Sequence, residues 1–140
     1  MSQRVLKGRN KFGQYQLTLE DDIIVAAFRG VLNDTLAQKY ADDMAALAED
    51  LKSAPWAYVC LAESFDATTQ TSQQILIDVY RQCQIRNCKL SVYCMRSALG
   101  KAQIRQMMQL AGIERDFDKV LFDDADTAKR FAREYLDTLE

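Results

Sequence analysis

The 140-residue chain contains no histidine. Histidine is the commonest general base and the partner in Ser-His and Cys-His nucleophile pairs. Without it the usual machinery of enzyme chemistry is missing, and the sequence predicts a protein that is not an enzyme. Cysteine is also sparse: Cys60, Cys83, Cys88 and Cys94 contain no C-x2-C pair. A zinc site therefore has no support, and neither a metal nor a cofactor is expected. Cys60 and Cys94 lie in strand-like surroundings, where a free thiol packs as a small hydrophobe. One proline and five glycines leave no material for a Pro/Gly-rich linker. No repeat or low-complexity segment interrupts the chain, so one domain is expected. No run of eighteen apolar residues exists, which excludes a membrane-inserted helix. The opening MSQRVLKGRNKFGQY lacks the apolar core of a secretory signal. The expected location is the cytoplasm.

About half of the residues are apolar (49%) and 27% are charged, the balance of a soluble domain with a core of useful size. The formal charge of −2 is unevenly spread. Arg4, Lys7, Arg9 and Lys11 give residues 1–13 a charge of +4, against −6 for the remainder. Residues 1–13 read as a basic, solvated arm, with the domain running from 14 to 140. Such an arm is suited to phosphates or a membrane surface, but the acidic body argues against nucleic acid as the main partner.

Hydrophobic periodicity supplies the elements. Tyr15, Leu17 and Leu19 alternate with polar residues, a half-buried strand. Across Asp21-Asp22, residues 23–28 form a second, β-branched strand ended by Gly30, so these two pair as a hairpin. Asn33 and Asp34 are helix-capping types. After them Leu36, Tyr40, Met44, Leu47 and Leu51 make an amphipathic stripe of about five turns. Residues 56–62 (WAYVCLA) are a nearly continuous apolar strand, covered on both faces. Ile75, Leu76, Val79, Tyr80 and Cys83 mark a second helix, and residues 89–94 another strand. Leu99, Ala102, Met107, Leu110 and Ala111 mark a third helix, closed by Gly112. A short strand at 119–122 precedes a last helix capped by Asp123 or Asp124, with Ala128, Phe131, Ala132, Tyr135 and Leu139 inward. The order β-β-α-β-α-β-α-β-α implies an α/β fold: a five-stranded mixed sheet backed by four helices, with right-handed crossovers.

Between the continuous strand and the second helix lies Ser64-Phe-Asp-Ala-Thr-Thr-Gln-Thr-Ser-Gln-Gln74, with five hydroxyl side chains in the nine residues 64–72. It sits at the carboxyl end of a central strand and the start of a helix, where ligands of open α/β sheets bind and where anions are favoured. Thr71 with Gln74 fits a capping box.

The second half carries a resemblance. The stretches ILIDVYRQCQIRNCKLSVY, IRQMMQLAGIERDF and KVLFDDADTA resemble the STAS domain family. That family comprises the anti-sigma-factor antagonists and the cytosolic domains of sulfate transporters. The resemblance spans residues 14–139 and is strongest over 75–130. It rests on Leu90 to Tyr93, Leu110-Ala-Gly112-Ile113, Val120 to Phe122, Asp123-Asp124 and Ala128. It implies a single STAS-like domain. It also implies that the hydroxyl-rich stretch occupies the place of a family loop reading roughly Asp-Ser-Ser/Thr-Gly, whose first serine a partner kinase phosphorylates. Thr69-Gln70-Thr71-Ser72 stands at those four places, so Gln70 replaces the acceptor serine. A one-residue slip would put Thr69 or Thr71 there instead.

The implied function is a non-enzymatic regulatory protein acting through protein-protein contact, without the usual serine switch. Its partner would be of the kinase or anti-sigma type. The expected docking surface is a loop at Asp66, Thr68, Thr69, Gln70, Thr71 and Ser72, with Asp78, Arg81 and Gln82 on the following helix. The alternative reading is a carrier or sensor of a small apolar or anionic ligand, a lipid or nucleotide. A homodimer is left open. Among rejected motifs, Ser97-Ala-Leu-Gly100-Lys101 lacks the first Gly and the Ser/Thr of a phosphate loop, and Asp123, Asp124 and Asp126 read as helix-capping charge. Met44, Met95, Met107 and Met108 read as core packing, with a flexible apolar cavity as the alternative.

Overall fold

A computed structural model describes residues 4–139, except for the side chains of 63–68, which are outside the described residues. Five strands form one sheet in the order of the chain: β1 (Arg4–Arg9), β2 (Gly13–Glu20), β3 (Ile23–Leu32), β4 (Trp56–Thr68) and β5 (Cys88–Met95). The β1-β2 and β2-β3 pairs are antiparallel, and β3-β4 and β4-β5 are parallel. Helices α1 (Asp34–Leu51), α2 (Gln70–Ile85) and α3 (Ala98–Leu110) cover one face, and α4 (Ala125–Asp137) lies over β4 and β5 on the other. The result is the expected α/β domain with a five-stranded mixed sheet and four helices.

Alternation explains which way each strand faces. Tyr15 and Leu17 of β2 are buried beneath α1, while Gln14 and Gln16 between them are exposed. The Tyr15 ring meets Tyr40 of α1 edge-on at 5.5 Å, and its hydroxyl donates to Asp43 at 2.6 Å. In β4, Trp56, Ala57 and Val59 are wholly buried. Such a continuous apolar run requires cover on both faces, which α4 and the three-helix layer provide. Trp56 Nε1 donates to the Arg86 carbonyl at 2.6 Å, pinning the start of β4 to the end of α2.

Four details differ from the periodicity reading. Arg4–Arg9, inside the expected basic arm, is an edge strand whose Leu6 pairs with Leu17. Glycine is required at position 8, because a Cβ there would lie 2.3 Å from the Tyr15 ring. Residues 119–122 are not a strand: Phe117–Val120 forms a 3-10 turn, and only Leu121 bridges to Tyr93. The cause is local, since the Asp116 side chain accepts from Asp118 N and winds the segment before it can extend. Gly30 does not end its strand. At φ +78° it forms an irregularity, and β3 continues to Leu32. Finally, β4 runs to Thr68, so the expected loop is absorbed into strand and helix.

The phase of α3 also differs. Leu99 and Leu110 are exposed, and Gly100, Ile104, Met107 and Met108 face inward. Ser97 caps the helix, and Gly112 at φ +82° closes it, with Gly112 N and Ile113 N bonded to Gln109 O and Met108 O. That pattern is a Schellman closure. Asp124 caps α4 by accepting from Thr127 N at 2.8 Å, which holds its carboxyl below the usual range. Lys129 and Arg133 then pair with Glu20 and Asp22, fastening α4 to the β2-β3 turn.

Candidate functional site

Parallel strands with helical crossovers bring helix N-termini to one edge of a sheet. Here the starts of α1 and α2 meet. Asn33 caps α1, accepting from Leu36 N at 3.0 Å, and also receives Asn10 Nδ2 from the β1-β2 turn at 3.0 Å. Only Thr69 separates β4 from α2, and it is the cap of α2: its Oγ1 accepts from Ser72 N at 3.1 Å. The capping hydroxyl is therefore Thr69, not Thr71, because β4 extends further than the apolar run suggests.

Asp34, the first residue of α1, reaches across this junction. Its Oδ1 accepts from Thr69 Oγ1 at 2.5 Å and from Ser72 Oγ at 3.1 Å, and the two hydroxyls lie 2.8 Å apart. Ser72 is completely buried. A carboxylate thus already lies beside the α2 N-terminus, where the helix dipole favours negative charge. This arrangement fixes α1 against α2 and satisfies both hydroxyls.

The structure separates the remaining candidates. Asp66 and Thr68 lie at the end of β4, but their side chains are outside the described residues. Gln70 and Thr71 are exposed on the first turn of α2. Gln74, Asp78 and Gln82 continue from Gln70 at four-residue steps, all exposed, and so form one row along the helix. This row borders a groove of about 300 Å³ between α1 and α2, whose other wall includes Gln38, Ala41 and Ala45. Small alanines on α1 open the groove, and Arg86 Nε bonded to Glu49 Oε2 at 3.2 Å closes its far end. Arg81 is elsewhere: it donates to the Leu110 carbonyl at 2.8 Å and so ties α2 to α3.

Sequence reasoning placed Asp34 as a capping residue and missed its contact with Thr69. Right-handed parallel crossovers put neighbouring helix starts side by side, so the signal lay in the topology. The alanine wall of α1 left no signal, since alanine fits core and surface alike.

No protein-family model matches the chain, and no curated protein does. Solved structures do. An anti-sigma factor antagonist from Mycobacterium paratuberculosis is 17% identical, with 94% of this chain and 95% of that one covered and a TM-score of 0.56. The anti-sigma factor antagonist SpoIIAA in its unphosphorylated form is 10% identical, with 86% and 96% covered and a TM-score of 0.59. The fold is STAS-like. No described helix is long and apolar enough to cross a membrane.

Burial pushes the Cys60 thiol up to about 12 and raises the Cys83 thiol as well. Burial likewise raises the phenols of Tyr40, Tyr58 and Tyr93. These groups therefore stay protonated near neutral pH, and the thiolate is the nucleophilic form of cysteine. Among the described residues no cluster of acidic or cysteine side chains is placed to hold a metal.

Proposed function

We propose that this chain is a non-enzymatic, cytoplasmic regulatory protein that works by binding another protein, a kinase of the anti-sigma type. Docking uses the exposed row Gln70, Gln74, Asp78 and Gln82 of α2 and the adjoining groove. The observation that carries the reading is the junction itself: an exposed polar helix row beginning where the starts of two helices are locked together by Asp34, Thr69 and Ser72. A rigid junction lowers the ordering cost of docking. The row carries little charge, and its groove offers small apolar side chains, which suits a mixed protein surface better than a phosphate backbone.

The same geometry supports the absence of a phospho-switch. A phosphoryl group adds about −1.5 to −2 charge, and on Thr69 it would be pressed against the Asp34 carboxylate. Gln70, at the acceptor place that the family resemblance implies, has no hydroxyl. Thr71 is exposed on the first turn of α2.

A photo-crosslinking residue at Gln82 or Gln74, expressed in the native host, tests the docking face. The expected result is one dominant protein adduct from these positions and none from Gln16 on the opposite sheet face. Equal yields from Gln82 and Gln16, or none from either, would overturn the reading. Incubating purified chain with the captured kinase and ATP should leave 68–72 unmodified by mass.

A further inference from the structure

A second feature adjoins the groove beside the docking row and shares Met44, Val79 and Cys83 with it. A cleft of about 430 Å³ opens between α2, the Gly112–Arg115 turn after α3, and the first half of β5, within the size range of small-molecule sites. Its space has a local origin. Ser91 on β5 and Cys83 on α2 present small side chains where larger ones would fill the layer, and Gly112 turns the chain back at the end of α3. Its walls include Met44, Val79 and Met108, buried apolar side chains of three different helices.

The inner end is polar. Tyr40, Tyr58 and Tyr80 line it, and Tyr93 stands behind. The Tyr40 and Tyr58 hydroxyls bond at 2.6 Å, and Tyr93 donates to Tyr80 at 3.1 Å. A phenol that accepts still has its own proton to give. Among the described residues, Tyr80 donates that proton to no acceptor, and the residue is only 8% exposed. An unused buried donor costs free energy unless an incoming group accepts from it. At the mouth, Lys89 and Arg115 outnumber Glu114, and Arg115 is held there by donating to the Lys89 carbonyl at 3.4 Å and the Tyr135 hydroxyl at 3.3 Å.

We propose that this cleft binds a small monoanionic amphipath, with an apolar or aromatic body among Met44, Val79 and Met108. One end carries an oxygen that accepts from Tyr80, and the other a carboxylate or similar anion facing Lys89 and Arg115. The site uses none of Gln70, Gln74, Asp78 and Gln82, although it shares Met44, Val79 and Cys83 with the groove beside them.

The test uses the full chain labelled with ¹³C at the methionine methyls and titrated with three probes. These are 3-(4-hydroxyphenyl)propanoate, the same acid without its hydroxyl, and its uncharged amide. The hydroxylated acid is expected to shift the Met44 and Met108 methyls saturably at millimolar concentration or below. Each altered probe should bind about tenfold more weakly, the size of one lost polar contact. Ser91→Phe, which fills the cleft, should abolish the shifts. If that variant fails to fold, the exposed Lys89→Gln serves instead, weakening the acid about tenfold and leaving the amide unchanged. No saturable shift with any probe would overturn the proposal. So would shifts that survive Ser91→Phe in a folded protein, or equal affinity for acid and amide.

Discussion

Replacing Thr69 by aspartate isolates the contact on which the junction depends. Aspartate caps a helix about as well as threonine, so the bond from Ser72 N is kept. What changes is the pairing with Asp34: a donor at 2.5 Å becomes a second negative charge. Two unit charges about 4 Å apart repel by ~1 kcal/mol in water and ~4 kcal/mol at an effective dielectric of 20. Asp34 and Thr69 are both exposed residues, which favours the lower end. Thr69→Asp should therefore destabilise the fold by about 1–2 kcal/mol, or roughly 3–8 °C in Tm. Asp34→Asn alone removes a favourable charge from the first turn of α1 and should cost about 0.3–1 kcal/mol. Combined, the two changes should be less damaging than their sum by about 1 kcal/mol or more, because the asparagine amide can donate to the new carboxylate. Urea unfolding of the four proteins, at low and high salt, measures the cycle. The coupling should shrink as salt rises. A Thr69→Asp protein as stable as the parent, or additivity within error, would refute the reasoning. It would mean that the junction tolerates an added negative charge, and thus a phosphate.

Other outcomes follow from the same packing. Gly8→Val drives a side chain into the Tyr15 ring and should cost about 1–3 kcal/mol, whereas Lys7→Thr on the exposed neighbour should stay within about 0.5 kcal/mol; equal losses in thermal melts would contradict β1 as a packed strand. The Cys60 thiol, raised to about 12 by burial, stays protonated in the folded chain at a pH where the unfolded chain ionises, near the ordinary thiol value of 9.0. Its contribution is thus complete below pH 9 and lost as pH rises toward 12, and the buried phenols act in the same direction. Tm should hold to about pH 8.5 and then fall; a Tm that rises between pH 9 and 11 would reverse the sign. Arg133→Ala breaks the pair with Asp22, both partly exposed, and should cost no more than about 1 kcal/mol and less at high salt.

The strands and helices were legible wherever burial imposed a period. Tyr15 and Leu17 gave period two, and Leu36, Tyr40, Met44 and Leu47 gave the helical stripe, because each element hides one face. The resemblance over residues 75–130 correctly indicated the fold. Legibility failed where local chemistry decided. Arg4–Arg9 is a strand with charged side chains, as suits an exposed edge, so its composition resembled a tail. Val120 and Leu121 are apolar enough for a strand, yet Asp116 winds the preceding residues into a turn. In α3, Leu99 and Leu110 suggested an inward face that Ile104 and Met108 hold instead. The α2 start was located to within two residues, but not the Asp34 contact that closes it, since only tertiary structure brings residues 34 and 69 together.

The central claim is that this STAS-like chain engages its partner through α2 without a phosphorylation cycle. The direct measurement is intact mass and phosphopeptide mapping of the chain purified from its native host, in its free and partner-bound pools. The account predicts that 68–72 is unmodified in both pools and that Gln82 crosslinks to the bound partner. A phosphoryl group on Thr69 or Thr71 in the free pool, absent from the bound pool, would contradict it.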